Sequence, residues 1–282
     1  MGNNQLLHIF RNIPFGKETL LHSIDFCRKL DLKLTIYTPR TKKFLMYFSQ
    51  NTLEVNLDAS YVKYPQTARE HAEAVLEYAG YKATFIEPET FTASSLPDLP
   101  TDIDFMTCPR VISDLSAKGP LSIGAGVREI LRRAPFPVLI PIQGFQDWKS
   151  VAVLFGGSRN GLRALNIGIN IAKASGLPLD VFTQSEKNFK RSDYEEIVER
   201  HHLTQDLQDT LRKWEIYEGG EFIDNLFYIP HDALIVMGIF GYGLVKDKFF
   251  GNIAETVQSS CANTLLLAGP EMRKDYWRHV SL

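Results

Sequence analysis

The segment 238-GIFGYGLVKDKFFGN-252 sets Gly238, Gly241 and Gly251 around basic and aromatic residues and ends on Asn252. Residues of these types at this spacing suit the binding of a phosphate. A glycine-rich turn lets backbone N–H groups approach an anion with no Cβ in the way, and a helix beginning there adds the positive end of its dipole. Gly238 is expected to end a strand over 233–237, Gly241 to turn the loop, and Gly251 with Asn252 to open a helix over 253–258. Asn252 then serves as N-cap, and its amide can donate to a phosphate oxygen. A dipole or cap contribution is only about 0.3–1 kcal/mol per charge, so several N–H donors have to act together. Lys246 and Lys248 are read equally well as added charge for the ligand or as solvated loop lysines.

Other chemistries find less support. Cys27, Cys108 and Cys261 are far apart, with no CxxC pair and no His at ligand spacing, so neither a zinc site nor a disulfide framework is legible and all three read as small buried hydrophobes. No Ser/His/Asp order or carboxylate pair suggests a catalytic centre, and His201 with His202 reads as a solvated helix end. Lys plus Arg (31) nearly balance Asp plus Glu (33), so no overall field recommends nucleic acid or an acidic membrane. The apolar runs, 233-ALIVMGIFG-241 among the longest, fall far short of the roughly 20 residues that span a bilayer, and MGNNQLLHIF carries no secretory pattern. A cytoplasmic protein is expected.

A site on strands and helices needs a scaffold, and the chain repeats one. Shifting by 145 residues sets 6-LLHIFRNIPFGKETLLHSIDFCRKLDLKLTIYT-38 on 151-VAVLFGGSRNGLRALNIGINIAKASGLPLDVFT-183 without a gap. Each copy reads as strand, turn, helix, strand: Leu162, Leu165, Ile169 and Ala172 share one helical face, Gly176 and Pro178 end the helix, and 151–155 and 179–183 are short apolar runs. A second match, offset by 127, sets 124-GAGVREILRRAPFPVLI-140 on 251-GNIAETVQSSCANTLLL-267. The change of offset leaves 18 extra residues in the first copy, assigned to loop and helix padding between Lys42 and Pro100. Alternating strands and helices imply an α/β fold of two tandem doubly wound parallel five-stranded sheets, in domains 1–145 and 146–282. The last strands, 136–140 and 264–268, are expected to pair within the chain in a pseudo-two-fold arrangement. Ligands of such sheets sit beyond the carboxyl ends of the strands, and the glycine segment follows a strand.

The glycine spacing, with 156-GGS-158 after the opening strand, 232-DALIVMG-238 and 264-TLLL-267, resembles the universal stress proteins over most of residues 151–267. Residues 1–140 resemble a second, diverged copy, as in tandem members of that family. The resemblance implies an adenine-nucleotide α-hydrolase-like fold and ATP, with or without Mg, bound in the second domain. Gly238, Gly241, Gly251, Asn252 and Ile253 would line its phosphates, and backbone near Phe182 and Thr183 would hold the base. The family's adenosine-binding Asp falls on Gly156, and its usual Ser or Thr falls on Asn252. Gly157 and Ser158 are the available substitutes, through N–H groups or the hydroxyl. Losing one acceptor costs about 1–1.5 kcal/mol, roughly tenfold in affinity. No nucleotide is expected in the first domain, where Cys108 and Val111 stand near the glycine positions and 11-RNIP-14 ends the first strand.

Three functions follow. The first is a stress-response regulator that binds an adenine nucleotide and has no dedicated catalytic centre, with at most weak ATP hydrolysis and an unidentified protein partner. The second is a ligand-free scaffold, an intrachain pseudo-dimer or a homodimer. The third is an ATP-pyrophosphatase-type enzyme, to which 155-FGGSRN-160 bears a faint likeness broken at Phe155, Arg159 and Asn160.

Overall fold

The computed structural model describes residues 4–48, 51–87, 95–112, 123–186, 189–240 and 250–273, and the chain divides into two compact units between Asp147 and Trp148. In the first unit the parallel sheet holds β1 (Gln5–Ile9), β2 (Lys33–Tyr37), β5 (Ala83–Ile86), β7 (Phe105–Thr107) and β8 (Val138–Ile140), in the order β8-β7-β1-β2-β5. In the second it holds β9 (Ser150–Leu154), β10 (Leu179–Gln184), β11 (Leu211–Tyr217), β12 (Ala233–Gly238) and β13 (Leu265–Ala268), in the order β11-β10-β9-β12-β13. The two orders are the same once strands are matched by the repeat. Each switches direction between its first strand and the strand before its last helix, the point at which folds of this class bind ligands.

The central strands are apolar and buried because helices cover both faces of a parallel sheet, while the edge strands β5 and β11 carry no fully buried residue. Leu6, Leu7 and Ile9 of β1 and Val151, Ala152 and Val153 of β9 are all buried. The helices after them are α1 (Pro14–Leu30) and α4 (Arg159–Ser175). Pro14 starts α1 at N1, where its missing N–H has no intrahelical partner to lose. Ser158 caps α4, its hydroxyl accepting from the Gly161 amide at 3.0 Å, and Gly176 ends it in the left-handed region at φ +67°. Leu165, Ile169 and Ala172 bury the face the periodicity marked.

Helix α4 lies unusually close to its sheet. A Cβ on Gly168 would sit 2.3 Å from Cγ2 of Val153, so the middle of the helix needs a glycine to reach the strand. At the start of α1, a Cβ on Gly16 would fall 1.6 Å from the Arg11 carbonyl oxygen, which no side chain survives.

The first unit departs from expectation between Lys42 and Pro100. In place of padding it folds a second sheet: β3 (Lys43–Phe48) pairs antiparallel with β4 (Asn51–Asn56) and parallel with β6 (Asp98–Leu99). A 3-10 turn (Ala59–Val62), α2 (Pro65–Ala79) and β5 complete the stretch. The alternation Phe44, Met46 on one face and Leu53, Val55 across the pair buries these side chains and drives the hairpin. The remaining helices are α3 (Ala125–Arg133), α5 (Arg191–Arg200), α6 (Thr204–Gln208), α7 (Phe222–Asn225) and α8 (Phe250–Ser260). Among the described residues no helix is long and apolar enough to cross a membrane.

Candidate functional site

Three backbone segments meet at the carboxyl ends of β9 and β12. Past β9, Phe155 leads into Gly156, Gly157 and Ser158; past β12 come Ile239 and Phe240; between them stands the first turn of α4. A Cβ on Gly238 would sit 2.3 Å from the carbonyl carbon and oxygen of Asn160 and 2.8 Å from the Gly161 amide nitrogen. Gly238 is therefore glycine because α4 presses on the end of β12, a structural reason independent of any ligand. Asn160, which the sequence presented only as a departure from a motif, is the clasp of this junction. It is 3 % exposed; its Nδ2 donates to the Ile239 carbonyl at 2.6 Å, and its Oδ1 accepts from Arg163 at 2.8 Å.

Arg163 extends the clasp to the end of β13, donating to the carbonyls of Gly269 and Pro270 at 3.3 and 2.5 Å. Burial, and next the neighbouring Arg159, lower its pKa from the usual guanidinium value. The strand end is thus held from two sides, and Phe240 leaves it at φ +53°. A bulky residue in the left-handed region is rare and costs on the order of 1–3 kcal/mol, the kind of strain that collects at ligand clamps.

Phe240 opens onto the glycine-rich segment. Gly241 lies outside the described residues, as do Lys246 and Lys248. Helix α8 begins at Phe250, earlier than expected, so Gly251 and Asn252 belong to its first turn. Asn252 stands at the third helical position and is not the N-cap. The physical consequence favours an anion all the same: the N–H groups of Gly251, Asn252 and Ile253 are all among the first four of the helix, which have no intrahelical partner. Ile253 is 44 % exposed.

The loop after β9 divides its roles. Gly156 is exposed, has an ordinary φ, and a Cβ there would meet nothing within 4 Å. The position of the missing carboxylate is thus open space. Gly157 at φ +73° needs glycine for its backbone, and its α side lies against α5, where a Cβ would come 3.1 Å from Ile197. The Ser158 oxygen is taken by the Gly161 amide, which leaves its hydroxyl proton to donate.

The reading of the base subsite changes. In a parallel ladder, successive residues turn their N–H and C=O alternately to the two neighbouring strands. Phe155 donates to the Phe182 carbonyl at 2.9 Å, so Phe182 faces β9 and its oxygen is used; Ser185 donates to the Tyr217 carbonyl at 2.8 Å, so Thr183, of the same parity, faces β11. The side chain of Thr183 is also held, accepting from Trp214 Nε1 at 3.0 Å. Neither residue offers its backbone to a base. The first residue facing the β9 side beyond the ladder, which ends at Phe182 with Leu154, is Gln184. Its side-chain amide is fixed between Asn225, which donates to it at 2.7 Å, and the Tyr217 carbonyl at 3.3 Å. Only the register of β10 against two strands identifies it. Nearby, burial raises the Glu186 carboxyl above the ordinary range.

In the first unit the matching positions are filled by the chain itself. Arg11 and Asn12 replace Gly156 and Gly157 in the repeat. The Arg11 guanidinium pairs with Asp58 at 2.8 Å, bonds Ser60 and lies 5.2 Å over the Tyr61 ring. Asn12 donates through Nδ2 to the Tyr64 carbonyl at 3.0 Å and accepts through Oδ1 from His71 Nδ1 at 2.7 Å, while the Asp58 amide reaches the Ile112 carbonyl beyond β7 at 2.7 Å. Segment 57–64 therefore covers the exits of β1 and β7. Cys108, at the exit of β7, is buried and its thiol is pushed up to about 12, so it is an inert hydrophobe.

The sequence matches no protein-family model and no curated protein. Solved structures do match the fold. A universal stress protein from Archaeoglobus fulgidus superposes with a TM-score of 0.62 at 17% identity, covering 95% of this chain and 99% of that one. A functionally unknown protein from Pseudomonas aeruginosa gives 0.55 at 13% identity, covering 95% and 93%. With the strand order and the repeat, these likenesses establish that the chain has the two-unit α/β fold of the universal stress proteins.

Proposed function

We propose that the protein is a stress-response regulator whose C-terminal unit binds an adenine nucleotide, ATP, and whose nucleotide occupancy, not a catalytic step, carries its function. The observation that bears most weight is the junction of Gly156, the first turn of α4 and the strained exit at Phe240, which leaves free space beside Gly156 and precedes, along the chain, the N-terminus of α8. Phosphate oxygens would take N–H groups of Gly251, Asn252 and Ile253, with Gly157 and the Ser158 hydroxyl on the opposite wall. The Gln184 backbone, facing the β9 side beyond the ladder, would take the base edge. The ligand supplies negative charge and a stacking surface; the chain supplies donors, and Gly156 supplies none of the carboxylate that would orient the ribose. Affinity is correspondingly modest, micromolar or weaker, about −8 kcal/mol or less favourable.

A scaffold without ligand is the second reading, and Gly238 favours it, since packing alone accounts for that glycine. Mass spectrometry of small molecules released from gently purified protein, followed by titration calorimetry with ATP, separates the two. One equivalent of ATP per chain is expected, with binding abolished by Gly241→Val at unchanged fold. No heat with any adenine nucleotide, or full-strength binding by a folded Gly241→Val protein, overturns the nucleotide reading.

A further inference from the structure

Between β11 and β12 the second unit carries a short excursion, α7 followed by a 3-10 turn (Leu226–Tyr228). Leu226 and Ile229 are buried and anchor it. Asn225 ties it down through Gln184 and through the Gly219 carbonyl at 3.1 Å. A segment pinned in this way nonetheless turns its largest apolar side chains outward: Ile223 is 46 % exposed, Phe227 67 % and Tyr228 63 %. Tyr228 stacks on Tyr217 with ring centroids 5.6 Å apart and planes 22° apart, so one of its faces is supported from beneath while the ring stays open to solvent. Helix α8 packs on both α7 and the 3-10 turn, and its exposed Ile253 adds to the apolar side chains this part of the unit exposes. The result is an apolar surface whose Tyr228 ring is already held by stacking, which lowers the ordering that binding would otherwise have to offset.

Its charge is one-sided. The stretch 217-YEGGEFIDNLFYIP-230 contains Glu218, Glu221 and Asp224, all exposed, and neither Lys nor Arg; Asp232, beyond it, interacts with Arg212. In a chain whose charges otherwise balance, exposed apolar residues interspersed with exposed carboxylates along one segment select a partner with apolar anchors and positive flanks. These carboxylates disfavour an anionic lipid surface, and they disfavour a second copy of the same patch, since both copies would bring carboxylates together.

We propose that this surface docks a basic amphipathic helix of another protein, Phe227 and Tyr228 receiving its apolar anchors and Glu221 and Asp224 meeting its Lys or Arg side chains. The proposal does not rest on the nucleotide reading, although Ile253 and the Asn225–Gln184 bond adjoin both, and it is tested without ATP. The test uses the full-length protein and a fluorescent peptide of about 14 residues, Leu and Lys only, with Leu at helical spacing, together with its Leu–Glu counterpart. Anisotropy is expected to give a micromolar Kd for the Leu–Lys peptide and binding at least about tenfold weaker for Leu–Glu. Phe227→Ser with Ile223→Ser, both at exposed positions, should weaken the Leu–Lys peptide about tenfold at unchanged melting temperature, and Glu221→Lys with Asp224→Lys should invert the preference. Binding of the Leu–Lys peptide within twofold of wild type by the Ser variant would reduce the effect to bulk charge and overturn the proposal. So would a wild-type dimer in sedimentation that Phe227→Ser dissolves, since a second copy would then be the occupant.

Discussion

Gly238→Ala separates a glycine needed for packing from one needed for a ligand. The new methyl would arrive 2.3 Å from the Asn160 carbonyl group, where ordinary contact begins near 3.4 Å. Both partners are backbone, so no side chain can rotate away, and the first turn of α4 must retreat from β12 by about an ångström. Overpacking of this kind costs about 1–3 kcal/mol, and the retreat also stretches the 2.6 Å bond from Asn160 to Ile239, a further 0.5–1.5 kcal/mol or so. A loss of about 2–4 kcal/mol is expected. Gly156→Ala, a few residues away in the same loop, meets nothing and should change stability by less than about 0.5 kcal/mol. The assay is urea unfolding followed by tryptophan fluorescence. Trp148, Trp214 and Trp277 are the chain's three tryptophans and all belong to the second unit, so the signal reports that unit alone. The midpoint for Gly238→Ala should fall clearly at unchanged slope. A midpoint equal to that of wild type, or a Gly156→Ala variant as unstable as Gly238→Ala, would refute the assignment.

Gly156→Asp restores a carboxylate where the backbone and the open space both allow one, so calorimetry should show ATP affinity raised about tenfold with the unfolding midpoint unmoved; unchanged affinity would remove Gly156 from the ribose side. In the first unit His8 is 1 % exposed, its Nδ1 bonds Ser23 at 2.8 Å, its Nε2 has no partner among the described residues, and burial lowers its pKa to about 3. Because the folded value lies below the unfolded value of 6.5, the unfolded chain takes the proton first: this unit keeps its full stability above pH 6.5 and loses it as the pH falls toward 3, by about 2 kcal/mol between pH 6.5 and 5. Hydrogen exchange of peptides from residues 4–48 should show that acid sensitivity in wild type and lose it in His8→Leu; the same pH dependence in both would exclude His8 as its source.

What the sequence determined by itself was local. The end of α4 and the strands 151–155 and 233–237 rest on residues within a turn or two of one another: Gly176 past the helix end, apolar residues at helical spacing, and short apolar runs bounded by turn residues; the capping role of Ser158 and the N1 place of Pro14 emerged only with the structure. Helix-ending residues and periodicity act through neighbours a few residues apart, so they are legible in one dimension. The glycine spacing likewise located the candidate site, since a loop after a strand and before a helix can only lie at the strand's carboxyl end.

Tertiary structure decided everything that depends on which distant backbones touch. The hairpin of β3 and β4 was missed because each strand is short and its alternation becomes meaningful only when Phe44 and Val55 face one another. Phe182 and Thr183 stand out by position along β10, but their hydrogen-bonding directions follow from the register with β9 and β11, which leaves Gln184 as the first residue facing the β9 side beyond the ladder. Asn160 resembled a broken motif until the end of β12 was packed against it. Gly238 and Gly156 look alike in the sequence, and only the distance to α4 tells them apart: a Cβ is excluded at the first because another backbone is already there, and admitted at the second because none is.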